Sequence, residues 1–306
     1  MWPKSNSDQE RMNRMLKRKH VEPFDVVVTI IAVFLLLIVA YPLLLVLSCS
    51  ISDPKLVATG QVLLLPKGIT FAGYQQILKN PDILTGYMNT IFYTVAGTFI
   101  NLVVTLPAGY VLTKRTVPGN KLFMTVLMIP MYFSGGMIPT FLLVKGLGLY
   151  NTRLVLLILG AFNTYNCIIC RSFFAGLPKE LEESAAIDGC SPFKTFTKIV
   201  LPLSKALLGV MVLYFAVGHW NSYFDAMIYI RDDALQPLQV FLRRILVLAQ
   251  AQAQIEEAAE YAQALADMEA LIRYAVIVVA SLPLLIVYPF LQKYFDKGVL
   301  IGSIKG

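Results

Sequence analysis

The chain holds few residues that could carry out chemistry, and their spacing assembles no catalytic site. Its two histidines, His20 and His219, form no recognisable nucleophile-and-base arrangement, so acyl-transfer chemistry is not indicated. Cys167 and Cys170 make a C-x-x-C pair, a spacing that can serve redox or metal chemistry, but they lie inside a long apolar segment. Packing within a membrane helix is favoured for the pair, with metal or redox chemistry as the alternative. We predict no catalytic residue and no metal site.

Nucleotide binding also lacks its usual motif. A phosphate-cradling loop requires a Gly-Lys step, and no Gly-Lys dipeptide occurs in the 306 residues. The sequence therefore predicts that the chain holds no cofactor of its own and does not hydrolyse ATP through that motif.

Charged groups inside apolar segments would indicate a carrier driven by ions or protons. Only His219 and Asp225 meet that description, and both fall towards the end of their segment. Interfacial placement or an interhelical hydrogen bond is favoured for them, and a proton relay is the alternative. An ion-coupled secondary carrier of a small solute is thus the second candidate function, which the absence of evident inverted halves disfavours further.

The elements that must position these residues are long apolar blocks. Hydrophobic residues make up 57% of the chain and charged residues 15%, and the mean hydropathy is +0.66. A soluble chain of this length could not bury so much apolar surface, which excludes a soluble enzyme. We predict an all-α integral membrane protein, since about 20 apolar residues cross a bilayer core. Six spans are predicted, at 26–50, 88–113, 122–144, 154–173, 206–229 and 272–292, within one domain that covers 26–306.

The distribution of charge predicts the orientation of these spans. The first span is too long for the apolar core of a signal peptide, so we expect it to remain as an anchor behind a basic leader at 1–25. With both termini in the cytoplasm, 17 of the 26 lysines and arginines lie on the cytoplasmic side, as the positive-inside rule requires. The net charge of +7 follows from this topology. It indicates contact with membrane lipid and no nucleic-acid partner.

The loop at 177–203, cytoplasmic in this topology, carries the clearest pattern in the sequence. The acidic residues around Glu182 suit the N-terminal end of a short helix, and Gly189 can adopt the left-handed conformation that ends it. Ser191 and Pro192 are typical of the cap and the first position of a second helix. The sequence therefore predicts two short helices in this loop.

The second of these helices is predicted to be amphipathic, with Phe193 and Phe196 on its apolar face. A loop of about 30 residues builds no core of its own, so such a face needs a covering surface. The pattern alone leaves two alternatives open, which are the bilayer surface and a partner protein.

A longer motif in the same loop resembles a known family. The stretch Glu182-Glu183-Ser184-Ala185-Ala186-Ile187-Asp188-Gly189, followed by Ile199-Val200-Leu201-Pro202, is similar to the EAA loop of ABC importer permeases. Further likeness lies in residues 133–140, 146–152, 220–224 and 288–295. From the first span onward the chain resembles the MalG-like carbohydrate-uptake branch, in particular the second permease of complex-oligosaccharide importers.

This resemblance implies a type I importer in the bacterial cytoplasmic membrane. In such an importer two different permeases form the path, two cytosolic ATPase subunits bind ATP and magnesium, and an extracytoplasmic sugar-binding protein delivers the substrate. The EAA helices sit in a groove of the ATPase, where the acidic residue that matches Glu183 pairs with a basic group. The coupling residues so implied are Glu182, Glu183, Ser184, Ala185, Ala186, Asp188, Gly189, Phe193 and Phe196.

Sugar contact would call for amides, hydroxyls and aromatic rings within the spans. The residues of these types are Asn89, Tyr93, Asn101, Tyr132, Asn163, Tyr165, Asn166, Trp220, Asn221 and Tyr223. For each of them an interhelical hydrogen bond or a place in an interfacial aromatic belt is the alternative.

The outer loop at 249–268 is rich in helix formers, and it is predicted either to be a solvated helix or to meet the binding protein.

The predicted topology can be tested with reporter fusions. A reporter fused after Lys305 and one inserted within residues 171–205 should both report the cytoplasm, because both sites follow basic segments that the membrane retains inside. An insertion at 249–268 serves as the external control. An extracytoplasmic signal from either of the first two fusions would overturn this orientation.

Overall fold

A computed structural model of the chain describes residues 23–114, 116–252 and 271–289. Within these ranges the regular structure is helical and contains no strand. The α-helices are α1 Pro23–Ser50, α2 Pro54–Ala58, α3 Ala72–Lys79, α4 Pro81–Val111, α5 Asn120–Tyr132, α6 Met137–Gly146, α7 Arg153–Ile158, α8 Thr164–Ala175, α9 Glu180–Ile187, α10 Pro192–Thr195, α11 Leu201–Leu203, α12 Lys205–Trp220, α13 Phe224–Tyr229, α14 Leu238–Gln252 and α15 Leu271–Pro289. A π-helix at Phe196–Val200 and a 3₁₀-helix at Asp233–Leu235 complete the set.

Three of these helices, α1, α4 and α15, are long and apolar enough to cross a membrane unaided. Two further bent pairs reach that length together, namely α5 with α6, which meet at 115°, and the run Pro192–Leu203 with α12, which meet at 85°. The described part of the chain therefore offers three to five crossing segments by length and composition. These segments identify an integral membrane protein.

Several predicted spans differ from the observed helices, because hydropathy does not register breaks in the backbone. The apolar stretch 122–144 is interrupted at Phe133–Gly136, where two consecutive glycines separate α5 from α6. The stretch 154–173 is interrupted between α7 and α8, and the stretch 206–229 between α12 and α13. By contrast, α1 matches its predicted span closely, and α4 begins earlier than predicted, at Pro81.

Helix α4 is the centre of the bundle, and it packs against α8, α12 and α14. One end of α4 contributes Leu106 and Tyr110 to a buried cluster with residues of α8, the π-helix and α12. Near its other end, Ile83 packs with Leu238 of α14 and with α15. Because α4 runs through both clusters, it joins the 177–203 loop to the opposite end of the bundle.

Helix α1 contrasts with α4, since it packs on the remainder of the described chain only through its final turn. Ser48, Cys49 and Ser50 are buried, and the Ser48 hydroxyl donates a hydrogen bond to the Leu64 carbonyl at 2.6 Å. The aliphatic side chains before that turn are exposed. Such a surface suits contact with lipid or with another membrane subunit.

Small residues allow α4 to approach its neighbours closely. A Cβ atom at Gly109 would lie 2.7 Å from Cβ of Cys170 and 3.2 Å from the backbone nitrogen of Arg171, both in α8. A Cβ at Gly97 would lie 2.4 Å from the ring of His219 in α12. These glycines therefore set the spacing between α4 and the two helices that flank it.

The contact at Gly109 can be tested by stability measurements. Gly109→Ala should reduce the stability of the folded chain by about 1–3 kcal/mol, because the added methyl group forces α4 and α8 apart. Gly218→Ala is the matched control, since Gly218 lies in α12 and nothing approaches its Cβ position within 4 Å. Melting curves of the detergent-purified protein should show a lower midpoint for the first variant alone. Equal midpoints for the two variants would contradict the tight contact.

Candidate functional site

The loop between α8 and α12 contains the two short helices that its sequence predicts. Helix α9 ends at Ile187, and Gly189 follows in the left-handed conformation with φ of +74°. The Ser191 hydroxyl accepts a hydrogen bond from the Lys194 backbone N–H at 3.4 Å, and Pro192 occupies the first position of α10. The predicted stop, cap and start of these helices are confirmed.

This helix pair exposes both apolar and acidic groups together with Lys194, and Lys198 is exposed in the π-helix that follows. Ile187 is 87% exposed and Phe193 is 75% exposed, although both are large hydrophobic residues. Glu183 and Asp188 are exposed beside them. We call this surface, with Glu183, Ile187, Asp188 and Phe193 as its members, the loop surface. Of the remaining predicted coupling residues, Ser184, Ala186 and Gly189 are exposed and Ala185 is buried.

Phe196 departs from the predicted pattern, because it does not share an exposed face with Phe193. It is buried, and its ring lies 4.9 Å from that of Tyr110 and 6.2 Å from that of Phe174, measured between centroids. The α-helix gives way to a π-helix at Phe196, which shifts the register that the 3.6-residue periodicity assumes. The side chain therefore fastens the loop to the bundle, and a coupling role for Phe196 stays a prediction.

Glu182 is likewise turned towards its own chain. Its carboxylate forms an ion pair with Lys114, which follows the end of α4, and both side chains are partly buried. The Lys114 ammonium also lies 4.0 Å from the centroid of the Tyr110 ring, in cation–π geometry. This pairing joins residues 68 positions apart, so no local pattern in the sequence could have indicated it. Together with Phe196, it fixes the loop to α4.

A larger cavity lies at the break between α12 and α13. Its volume is about 590 Å³, within the range of sites for small molecules. Asn221 and Tyr223 line it from the break, Gln239 and Arg243 from α14, and Ser281 from α15. Two of the predicted sugar-contact residues are thereby brought together. Sequence inspection missed Arg243, because it belongs to α14, which none of the predicted spans includes.

A smaller cavity of about 240 Å³ lies where the segment between α7 and α8 meets α12. Asn163 and Asn166 line it from the start of α8, Ser222 lines it from the α12–α13 break, and Asp225 lines it from the first turn of α13. The Asn163 side chain also caps α8 by accepting a hydrogen bond from the Asn166 backbone N–H at 3.0 Å. Polar groups near the α7–α8 break and near the α12–α13 break therefore line the same cavity.

His219 borders this smaller cavity and bonds to α4. Its Nε2 atom lies 2.7 Å from Oδ1 of Asn101, and the Asn101 amide in turn donates to the Gly160 carbonyl. This is the interhelical hydrogen bond that the sequence offered as the favoured alternative to a proton relay.

Other predicted sugar-contact residues are engaged in packing. Asn89 donates to the carbonyls of Ala234 and Gln236 at 2.8 and 3.1 Å. Trp220 donates to the Ala280 carbonyl at 2.9 Å. Tyr93 also donates to a carbonyl, that of Leu235, whereas Tyr132 is 78% exposed on the surface. For Asn89, Trp220 and Tyr93 the interhelical hydrogen bond is the observed role.

The two cysteines of the C-x-x-C pair are fully buried in α8. Cys170 belongs to the core cluster that includes Leu106 and Phe174, and it packs against Gly109. Within the ranges the structure describes, no group of three His, Cys, Asp or Glu side chains is placed to hold a metal ion.

The fold defines a class of protein, a helical membrane protein with broken helices and an exposed loop of two short helices. Residues 83–301 match the family model described as "Binding-protein-dependent transport system inner membrane component", and the chain belongs to that family. It is therefore a multi-pass plasma-membrane protein and a permease subunit of an ABC importer, a transport component that is not itself an enzyme.

Individual relatives agree with this assignment. The chain is 43% identical to Protein LplC of Bacillus subtilis, across 87% of this chain and 89% of that protein. It is 38% identical to the polygalacturonan/rhamnogalacturonan transport system permease protein YtcP of the same organism, across 92% and 98%. A chain from the crystal structure of a bacterial ABC transporter that imports the acidic polysaccharide alginate superimposes with a TM-score of 0.80 at 35% identity, across 92% and 99%. None of this supports the alternative of an ion-coupled secondary carrier.

The attachment of the loop to α4 can be tested through Cys190, which is partly exposed next to Gly189 while the three other cysteines are buried. Lys114→Glu places a second negative charge opposite Glu182. It should reduce the free energy that holds the loop against the bundle by about 1 kcal/mol. We expect faster maleimide labelling of Cys190 in this variant, and a return to the wild-type rate when Lys114→Glu is combined with Glu182→Lys.

Lys121→Glu makes the same change of charge outside the ion pair and should leave the labelling rate unaltered. If Lys114→Glu also labels at the wild-type rate, the ion pair does not hold the loop.

Proposed function

We propose that this permease forms, with a second and different permease, the membrane path for an oligosaccharide delivered by an extracytoplasmic binding protein. Two cytosolic ATPase subunits would bind ATP and magnesium and drive the transport. The names of the relatives support a saccharide substrate, since YtcP is a polygalacturonan/rhamnogalacturonan permease and the solved transporter imports alginate. The observation that carries the proposal is the loop surface, where Ile187 and Phe193 are exposed on a loop fixed rigidly to the bundle.

The loop surface fits a protein partner better than it fits lipid. Glu183 and Asp188 lie beside the exposed apolar residues, and carboxylates are poorly suited to an anionic membrane surface. A groove with apolar pockets and a basic rim would complement both kinds of group. We therefore assign the surface to the ATPase, and assign the pairing of Glu183 with a basic group of that subunit.

Contacts within the chain would transmit a movement of the docked loop to α4 and α12. The Lys114–Glu182 ion pair and the buried Phe196 ring tie the loop to α4, and the chain continues through the π-helix into α12. When ATP closes the ATPase dimer, a loop held in this way would carry α4 and α12 with it as a rigid unit. Transport would then follow from the rocking of these helices between two orientations.

The proposed path lies at the two helix breaks. Asn221 and Tyr223 border the larger cavity and Asn163 and Asn166 the smaller, so each break offers amides to sugar hydroxyls. We keep the six-span arrangement with cytoplasmic termini as part of this proposal, with α8 and its flanking segment as one crossing. Most of the 249–268 outer loop lies outside the described residues, and its contact with the binding protein stays a prediction.

The docking of the loop surface is tested in the complete complex. Glu183→Lys should leave membrane insertion normal and abolish transport, because like charges in a partly desolvated contact raise its energy by about 2–3 kcal/mol. Glu180→Lys is the control, as Glu180 lies in the same helix outside the loop surface. Oligosaccharide uptake and the co-purification of ATPase subunits are measured in membranes that contain all cognate subunits.

Gly189→Val in the same assay should also stop uptake, for a different reason. No atom lies within 4 Å of the Cβ position, so the effect would come from the strain of a β-branched residue at φ of +74° and not from a clash. If both variants keep wild-type uptake and ATPase association, the loop surface is not the coupling site.

A further inference from the structure

The larger cavity carries a positive charge that the binding of a neutral sugar does not require. The Arg243 guanidinium lies 5.1 Å from the centroid of the Tyr223 ring. Both residues are exposed at the rim, so the cavity opens on the protein surface. Asn221, Gln239 and Ser281 add neutral hydrogen-bonding groups to the same lining, although the Asn221 amide also donates to the Val217 carbonyl and the Ser281 hydroxyl to the Ile277 carbonyl. Apolar side chains of α14 and α15 form the rest of the lining. Ring, amides, hydroxyl and guanidinium together offer a stacking face, donors and acceptors, and one fixed cation.

Arg244, which is adjacent to Arg243 in α14, has a structural role. Arg244 forms an ion pair with Asp233 at 2.6 Å and donates to the Gln236 side chain at 2.7 Å. It therefore fastens α14 to the turn that precedes it. Arg243 points instead into the cavity, and among the described residues no carboxylate lies within ion-pair distance of it.

We propose that Arg243 makes this cavity a subsite for saccharides that carry a carboxylate, such as uronate units. A guanidinium binds a carboxylate through two parallel hydrogen bonds, while Tyr223 would stack on a sugar face and the amides would bind hydroxyls. This proposal rests on the proposed function, and it names the substrate class of the same path. Arg243 is thereby a residue that determines specificity.

The experiment uses cells that express the complete importer and measures which sugars enter. The cells receive an equimolar mixture of uronate tri- to pentasaccharides and the same compounds after reduction of each carboxylate to a primary alcohol, and their contents are analysed by mass spectrometry. We expect uronate saccharides to enter preferentially in the wild type. Arg243→Gln should lower uronate uptake at least tenfold relative to neutral uptake, since it removes a charge-assisted contact.

Two control variants separate specificity from structure. Arg243→Lys keeps the charge and should retain part of the preference, whereas Arg231→Gln removes a positive charge from an exposed residue outside the cavity lining and should retain all of it. Equal loss of both sugar classes in Arg243→Gln would overturn the proposal and assign the arginine to packing or to an anionic lipid headgroup. Preferential entry of neutral sugars in the wild type would overturn it while leaving the proposed function intact. Entry of neither class would overturn both.

Discussion

The structure depends on one constraint, which is that no backbone polar group can be left without a partner inside a membrane. Broken helices expose carbonyl and N–H groups at each interruption, and side chains of α4 supply partners before α8 and before α14. The Asn101 amide donates to the Gly160 carbonyl before α8, and the Asn89 amide donates to carbonyls in the turn before α14. The Thr90 hydroxyl accepts from the Leu238 N–H at 2.8 Å. Helix α4 therefore satisfies the breaks around it as well as filling the core.

The same constraint divides the polar residues of the bundle into two groups. Asn89 and Tyr93 donate to backbone carbonyls in the turn before α14, and Trp220 donates to the Ala280 carbonyl within α15, so these side chains hold neighbouring segments together. Asn221 and Tyr223 lie on a break and line a cavity, and the Asn221 amide also donates to the Val217 carbonyl of α12 at 3.0 Å. A polar residue type within an apolar segment is thus no sign of substrate contact by itself. What distinguishes the two groups is whether the side chain borders a cavity, and this depends on the tertiary structure.

Features set by composition or by single residues could be predicted from the sequence, whereas features set by tertiary contacts could not. The helical membrane class follows from composition, and the ends of α9 and α10 follow from Gly189 and Ser191, because left-handed stops and caps are properties of single residues. Helix breaks at Phe133–Gly136 and after Trp220 lie inside stretches that hydropathy predicts as continuous spans, although Gly, Ser or Asn residues occur at each break. The Lys114–Glu182 ion pair joins residues far apart in the sequence, so no local pattern predicts it. Phe196 is buried at the start of a π-helix, and the 3.6-residue periodicity of an α-helix does not apply across that segment.

The positions of the loop and the larger cavity are linked by α12. This helix begins at Lys205, directly after the loop, and ends at Trp220, directly before Asn221 at the cavity. Its 16 residues span about 24 Å, and its close contact with Gly97 of α4 leaves little room for the two helices to slide independently. A tilt of α12 at its loop end would therefore displace the break at its other end. In the proposed mechanism α12 would transmit the motion, and the interruption at Asn221 would be where the chain changes shape around a substrate.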